Sequence, residues 1–331
     1  MYTDIRLEKG LYSITGKSFT QALSELDPDA NYKGTELEQL DAYERQLKRF
    51  DIQPNGADCD RVEKFFLSTE SAVLFPEYVR RQIKAGMDEV SLLPYAAAAV
   101  TYTDSTDFRA LTVNDGSTDS SYNVINSNVA AEGADLPSTT VRLAQTASAL
   151  KKFARKLSCS YESIRKQRLE AFGVILRSLG AQLSRAINAE FVNTVKTGVT
   201  ASTYSSAITY SALAKFWASM KQYDMDVMLC SPSMMADILA LSEMKYCVSD
   251  YMSGGKAVTP YGVTIIKCPS LTDGTAVGID SKCAAEAIFG TDVTVDFDKL
   301  ISTQCDEIAA SVMCGFSRLT GGAAAVLSKA S

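Results

Sequence analysis

Between Tyr161 and Thr197 the sequence carries one continuous apolar stripe: Leu169, Phe172, Leu176, Leu179, Leu183 and Ile187 recur at steps of three and four. This is the spacing of one face of an α-helix. At ~1.5 Å per residue, a helix predicted over 161–197 would exceed ~50 Å, longer than most helices of globular proteins. Such a face needs a sheet along it, and the later sequence supplies strands. They are predicted at Asp226–Cys230, Val263–Lys267, Ala276–Ile279, Ala287–Phe289, Val293–Phe297, Ala309–Cys314 and Ala323–Leu327, with a helix over Pro232–Leu241. The fold class is therefore α+β with mixed connections, not a repeated βαβ unit. With 331 residues, the chain has the length of about two domains.

The first sixty residues are polar and contain one strong helix signal. Thr35 and Glu38 have capping-box spacing, and Leu37, Leu40, Leu47 and Phe50 make a stripe that one helix cannot bury alone. Pro28, Gly34, Pro54 and Gly56 surround it, so an arm that docks outside itself is expected. A second helix is expected from Pro76 to Ala85, stopped by Gly86. Then Phe108–Val113 and Tyr122–Val129 read as two strands reversing across Asn114-Asp115-Gly116-Ser117. This hairpin has few large aliphatics to bury, and is expected to project and meet another chain.

Composition removes much chemistry. There is no histidine, so nucleophile pairs built on imidazole and most zinc sites are excluded. The eight cysteines include no CxxC pair, and read as free thiols rather than metal ligands. No cofactor is expected. Gly10 to Ser18 imitates a phosphate-binding loop but has five residues between its glycines instead of four, and no buried strand precedes it. Ser253 to Lys256 reads as a flexible loop, the Asp296/Asp298 pair as chance, and Trp217 as a core anchor. Net charge is −6, which argues against a sequence-reading nucleic-acid groove. Arg142, Lys151, Lys152, Arg155, Lys156, Arg165, Lys166 and Arg168 crowd the approach to the long helix against a single acid, Glu162. They do not share one helical face, so a solvated or acid-paired surface is expected. No apolar stretch reaches the ~18 residues of a membrane span, and the N-terminus lacks the apolar core of a secretory signal, so a cytosolic chain is expected.

The order of these parts resembles the major capsid proteins of tailed bacteriophages, with the Hong Kong 97-type fold. Leu74-Phe75-Pro76-Glu77-Tyr78-Val79-Arg80-Arg81-Gln82-Ile83 looks like the family's Pro-Glu helix after the arm. Val129-Ala130-Ala131-Glu132-Gly133-Ala134-Asp135-Leu136-Pro137 resembles the run on the returning side of the extended loop. Ala276 to Asp280 followed by Ala287 to Gly290 resembles the late strand pair of the axial domain. Ile301-Ser302-Thr303 and the strand through Cys314 resemble the closing strands of the peripheral domain. The likeness spans about residues 65 to 330.

The resemblance implies an arm over 1–70, peripheral-domain parts over 71–100 and 150–204, an extended loop over 101–149, an axial domain over 205–296 and closing peripheral strands over 297–331. It implies a non-enzymatic subunit that assembles into pentamers and hexamers around double-stranded DNA, touching that DNA without specificity. Its partners would be itself, a separate scaffolding protein and a portal, with no membrane. Its place would be the virion, assembled in the host bacterial cytoplasm. Contacts between subunits are expected at Leu37, Leu40, Leu47, Phe50, Phe108, Leu111, Tyr122, Ile125 and Glu132. Some members join subunits through a lysine just before the loop proline; that position holds Leu136, so covalent cross-linking is not carried over. Two alternatives stand beside this reading: a non-viral nanocompartment of the same fold, filled with protein cargo, and a histidine-free enzyme working through lysine or carboxylates.

Overall fold

The computed structural model describes residues 5–14, 16–114, 129–133, 136, 139–205, 207–247 and 257–330. Helices α1 (Phe19–Leu26), α2 (Ala42–Arg49) and α3 (Phe75–Val90) come first. Short strands follow: β1 (Ala99–Tyr102), β2 (Asp107–Phe108), β3 (Leu111–Asn114), β4 (Thr140–Leu143) and β5 (Ser148–Ala149). The longer β6 (Lys151–Ser160) leads into α4 (Tyr161–Lys166) and α5 (Leu169–Lys196). Next are β7 (Ala201–Tyr204), α6 (Tyr210–Trp217), β8 (Val227–Cys230) and α7 (Pro232–Leu239). Strands β9 (Ala257–Val258), β10 (Thr264–Lys267), β11 (Thr275–Ile279), β12 (Ala285–Leu300), β13 (Cys305–Arg318) and β14 (Ala324–Lys329) complete the order.

One sheet has the order β1-β12-β13-β6 and another the order β7-β14-β11-β8-β10-β9; β2 with β5 and β3 with β4 form two-stranded pairs. The chain divides into two compact units. The first holds Met1–Val90, Ala154–Ser184 and Val293–Ser311; the second holds Ser91–Phe153, Arg185–Asp292 and Val312–Ser331.

In the first unit, α3 and the early part of α5 cross at glycines. A Cβ at Gly86 would overlap the Arg177 backbone, and one at Gly180 would overlap the Ile83 carbonyl. Gly86 is therefore not the expected stop: the helix continues to Val90, and the glycine serves close approach. The six stripe residues of α5 are all buried. The predicted single helix over 161–197 is broken, however, because Gln167 takes extended backbone (φ −70, ψ 146) and ends α4. The 28 residues of α5 give a rod of about 42 Å.

In the second unit, β8 and β11 are buried on both faces, as their unbroken Val-Met-Leu-Cys and Thr-Ala-Val-Gly-Ile runs require. Leu213, Phe216, Met228, Met234, Ile238 and Ile265 share its core. The last strand pairs antiparallel with β11 (Val277↔Val326) and parallel with β7 (Val326↔Ala201). The small and aliphatic residues of this strand thus complete the sheet of β7, β8, β10 and β11. The two strands predicted at 287–289 and 293–297 are one, β12. Trp217 is no core anchor. It is the last residue of α6, is 41% exposed, and lies 5.5 Å from the Tyr261 ring.

Candidate assembly surfaces

The N-terminal segment is polar because it buries charge. Helix α2 begins six residues after the expected box: Asp41, in extended backbone, caps it by accepting from the Glu44 N–H, and Glu44 answers the Asp41 N–H. Thr35 to Leu40 form turns instead, with Glu38 accepting from the Gly34 N–H, where φ is +75°. The later Asp-x-x-Glu box supplies the cap that the earlier one fails to propagate. Leu37 and Leu47 are buried within the chain's own fold, and Leu40 and Phe50 are half-buried. The expected outward stripe is thus largely consumed at home.

What holds the segment is Arg45, whose side chain is fully buried. It donates to Asp27 Oδ2 (3.1 Å), the Asp27 carbonyl (2.6 Å), Asp29 Oδ1 (2.9 Å) and the Leu40 carbonyl (2.6 Å). Its guanidinium sits 4.4 Å from the Tyr32 ring centroid, and the Tyr32 hydroxyl donates to Asp27. A second buried group, Glu77 on α3, accepts from Thr20 Oγ1 (2.8 Å), Arg80 Nε (2.8 Å) and Arg81 Nε (3.0 Å). Arg81 also donates to Asp41, the cap of α2, at 2.6 Å. Burial pushes the Glu77 carboxyl up, but hydrogen bonds and charge from Arg80, with help from Thr20 and Arg81, outweigh it and hold it below the ordinary carboxylate range.

The extended loop has the opposite character. Strand β3 pairs with β4 (Leu111↔Leu143, Asn114↔Thr140); of the strand expected at Tyr122–Val129 only Val129 is among the described residues, where it is not in a strand, and the rest lies outside them. In β4, Val141 and Leu143 alternate with polar neighbours, a short period-two signal. All of β4 is exposed, as are Val129, Glu132 and Leu136. At the loop base, Phe108 is half-buried, and a Cβ at Gly315 would overlap its ring. Leu111 is half-buried, and Tyr122 and Ile125 lie outside the described residues. Tyr102, Val129, Leu136, Val141 and Leu143 give this region several of the chain's exposed large apolar side chains, a signature of surfaces that meet a partner.

The basic run is mostly strand, an element missed because its alternation is masked by charge. On β6, Lys156 pairs with Glu307 and Lys151 with Glu190, each at 2.6 Å, so the partners are acids of the same chain. Arg165 lies over Phe66, and Arg168 donates to the Ala57 carbonyl. Among the described residues no cluster of three acidic or cysteine side chains could hold a metal ion. Burial pushes the Cys314 thiol up to about 12, which leaves it unreactive.

Comparison with known proteins decides the frame. Residues 142–300 match the phage capsid protein family. The virus-like particle protein of Pyrococcus furiosus superposes with a TM-score of 0.54 at 12% identity, over 76% of this chain and 99% of that one. This is the Hong Kong 97-type capsid fold. The capsid of an empty GTA particle (TM-score 0.49, 13% identity, 75% of this chain and 90% of that chain) is also similar. So is the SrpI encapsulin of Synechococcus elongatus PCC 7942 (0.48, 13%, 70% and 84%). No curated protein sequence matches. The chain resembles a tailed-phage major capsid protein, and a capsid shell subunit is the reading that family and fold share.

Proposed function

We propose that this chain is the major shell subunit of a tailed bacteriophage, built into pentamers and hexamers that enclose double-stranded DNA in the virion. The observation that carries the proposal is the match of residues 142–300 to the phage capsid family, within a chain whose strand β4 leaves Val141 and Leu143 exposed. Its role is structural. The loop residues Leu111, Tyr122, Ile125 and Glu132, with the half-buried Leu40 and Phe50, are the proposed contacts to neighbouring copies. Half-buried Phe108 is a proposed contact as well, whereas Leu37 and Leu47 are buried within the subunit. A separate scaffolding protein and a portal complete the proposed partners, and contact with DNA is nonspecific. Among the described residues no helix is long and apolar enough to cross a membrane.

Particles purified from the producing cells test this directly. Closed icosahedral particles containing nuclease-protected double-stranded DNA are expected. Closed particles filled with protein instead would replace this reading with a nanocompartment, and a soluble monomer with substrate-dependent turnover would remove the shell altogether.

A further inference from the structure

The most exposed large apolar side chain among the described residues is Ile301, at 84%, in the turn between β12 and β13. Turn tips ordinarily carry Gly, Asn, Asp or Ser, whose side chains suit the backbone and the solvent. This turn reads Ile-Ser-Thr-Gln, with Gln304 forced to a positive φ of 52°. No described residue covers the isoleucine, and no charge lies in the turn. The same unit contains an open cavity of about 520 Å³ walled by Phe66, Phe75, Pro76, Ile164, Phe297 and Ile308. Two of these rings, Phe66 and Phe297, remain substantially exposed. Around the rim stand Lys9, Arg165 and Lys299 with Asp298 and Asp306.

We infer that the Ile301 tip of one copy inserts into this apolar cavity of a second copy. The inference rests on the shell reading above, which makes other copies the partner present at highest local concentration. The stem of the hairpin walls its own cavity, through Phe297, Asp298, Lys299, Asp306 and Ile308. An incoming tip must therefore run beside a resident stem, which brings the visitor's Asp298 and Lys299 to a rim that already holds charges of both signs. An uncharged tip enters without burying an unpaired ion, which would be costly. Knob and cavity adjoin on one hairpin, so two copies can exchange their tips across a two-fold axis, or a series of copies can close into a ring.

Ile301→Asp should leave the thermal unfolding of the isolated subunit unchanged, because the side chain is already in water, while reducing the yield of closed particles at least tenfold. Ile301→Val should assemble as the wild type does. In particles built from a mixture of Ile301→Cys and Phe66→Cys chains, oxidised glutathione should form a covalent dimer that is absent when Ile301→Cys is mixed with wild type. Wild-type yield from Ile301→Asp, or no dimer in the mixed particles, overturns the contact while leaving the shell reading intact. If wild-type chains themselves form no particles, the shell reading fails, and this inference fails with it.

Discussion

The N-terminal segment and the extended loop look alike as sequence: both are polar, poor in large aliphatics and interrupted by glycine or proline. As structures they are opposites. In the first, polarity is turned inward, where Arg45 satisfies two aspartates and two carbonyls, and Glu77 gathers a threonine and two arginines. In the second, polarity faces water, and aliphatics such as Val141 and Leu143 are left outside. Polarity alone therefore does not distinguish a segment that leaves its aliphatics in water from one that packs. What distinguishes them is whether each buried charge has a partner at the right spacing.

The sharpest way to break this comparison is Arg45→Ala. It takes the buried cation away from Asp27, which keeps the Tyr32 hydroxyl as a donor, and should cost the first unit about 3–5 kcal/mol in chemical denaturation. A loss below ~1 kcal/mol, as for an exposed pair, would show that the segment is loosely held after all. A smaller effect is expected from acid. Because the Glu77 carboxyl is held below its ordinary value, its contribution is complete above about pH 4.3 and is lost as pH falls through the depressed value. Unfolding midpoints followed from pH 6 to pH 3 should fall more steeply for the wild type than for Glu77→Gln. Parallel curves would remove Glu77 from the account. The smallest effect on folding belongs to the loop. Replacing residues 111–143 by a short Gly-Ser turn should change subunit stability by no more than about 1 kcal/mol and abolish particles seen by negative-stain microscopy. Particles of normal size from that variant would mean that the exposed aliphatics meet no neighbour.

The comparison also explains what could be read in advance. The α5 stripe and the apolar runs of β8 and β11 were legible because burial on one face, or on both, writes itself into periodicity. The start of α2 was not, since Thr35-x-x-Glu38 and Asp41-x-x-Glu44 are equivalent signals and only the packing of Tyr43, Arg45 and Leu47 selects the second. Strand β6 was hidden because seven of its ten side chains are exposed, so charge rather than alternation dominates its sequence. The pairing of β3 with β4 was not legible either, because all four side chains of β4 are exposed and hydrophobic pattern specifies register weakly in such a strand. The inward turn of the N-terminal segment left no trace in hydropathy: a buried arginine and an exposed one are the same letter.

The paired glycines where α3 crosses α5 have a genetic consequence. Every single-base change that turns a glycine codon into another amino acid supplies a Cβ, and at Gly86 or Gly180 that atom would enter the opposing backbone. Neither position has a mild neighbour in codon space, unlike the leucines of the α5 stripe, which can step to methionine, isoleucine or valine. Descendants of this gene can vary the stripe around the crossing, but they can alter the crossing itself only by re-spacing both helices at once.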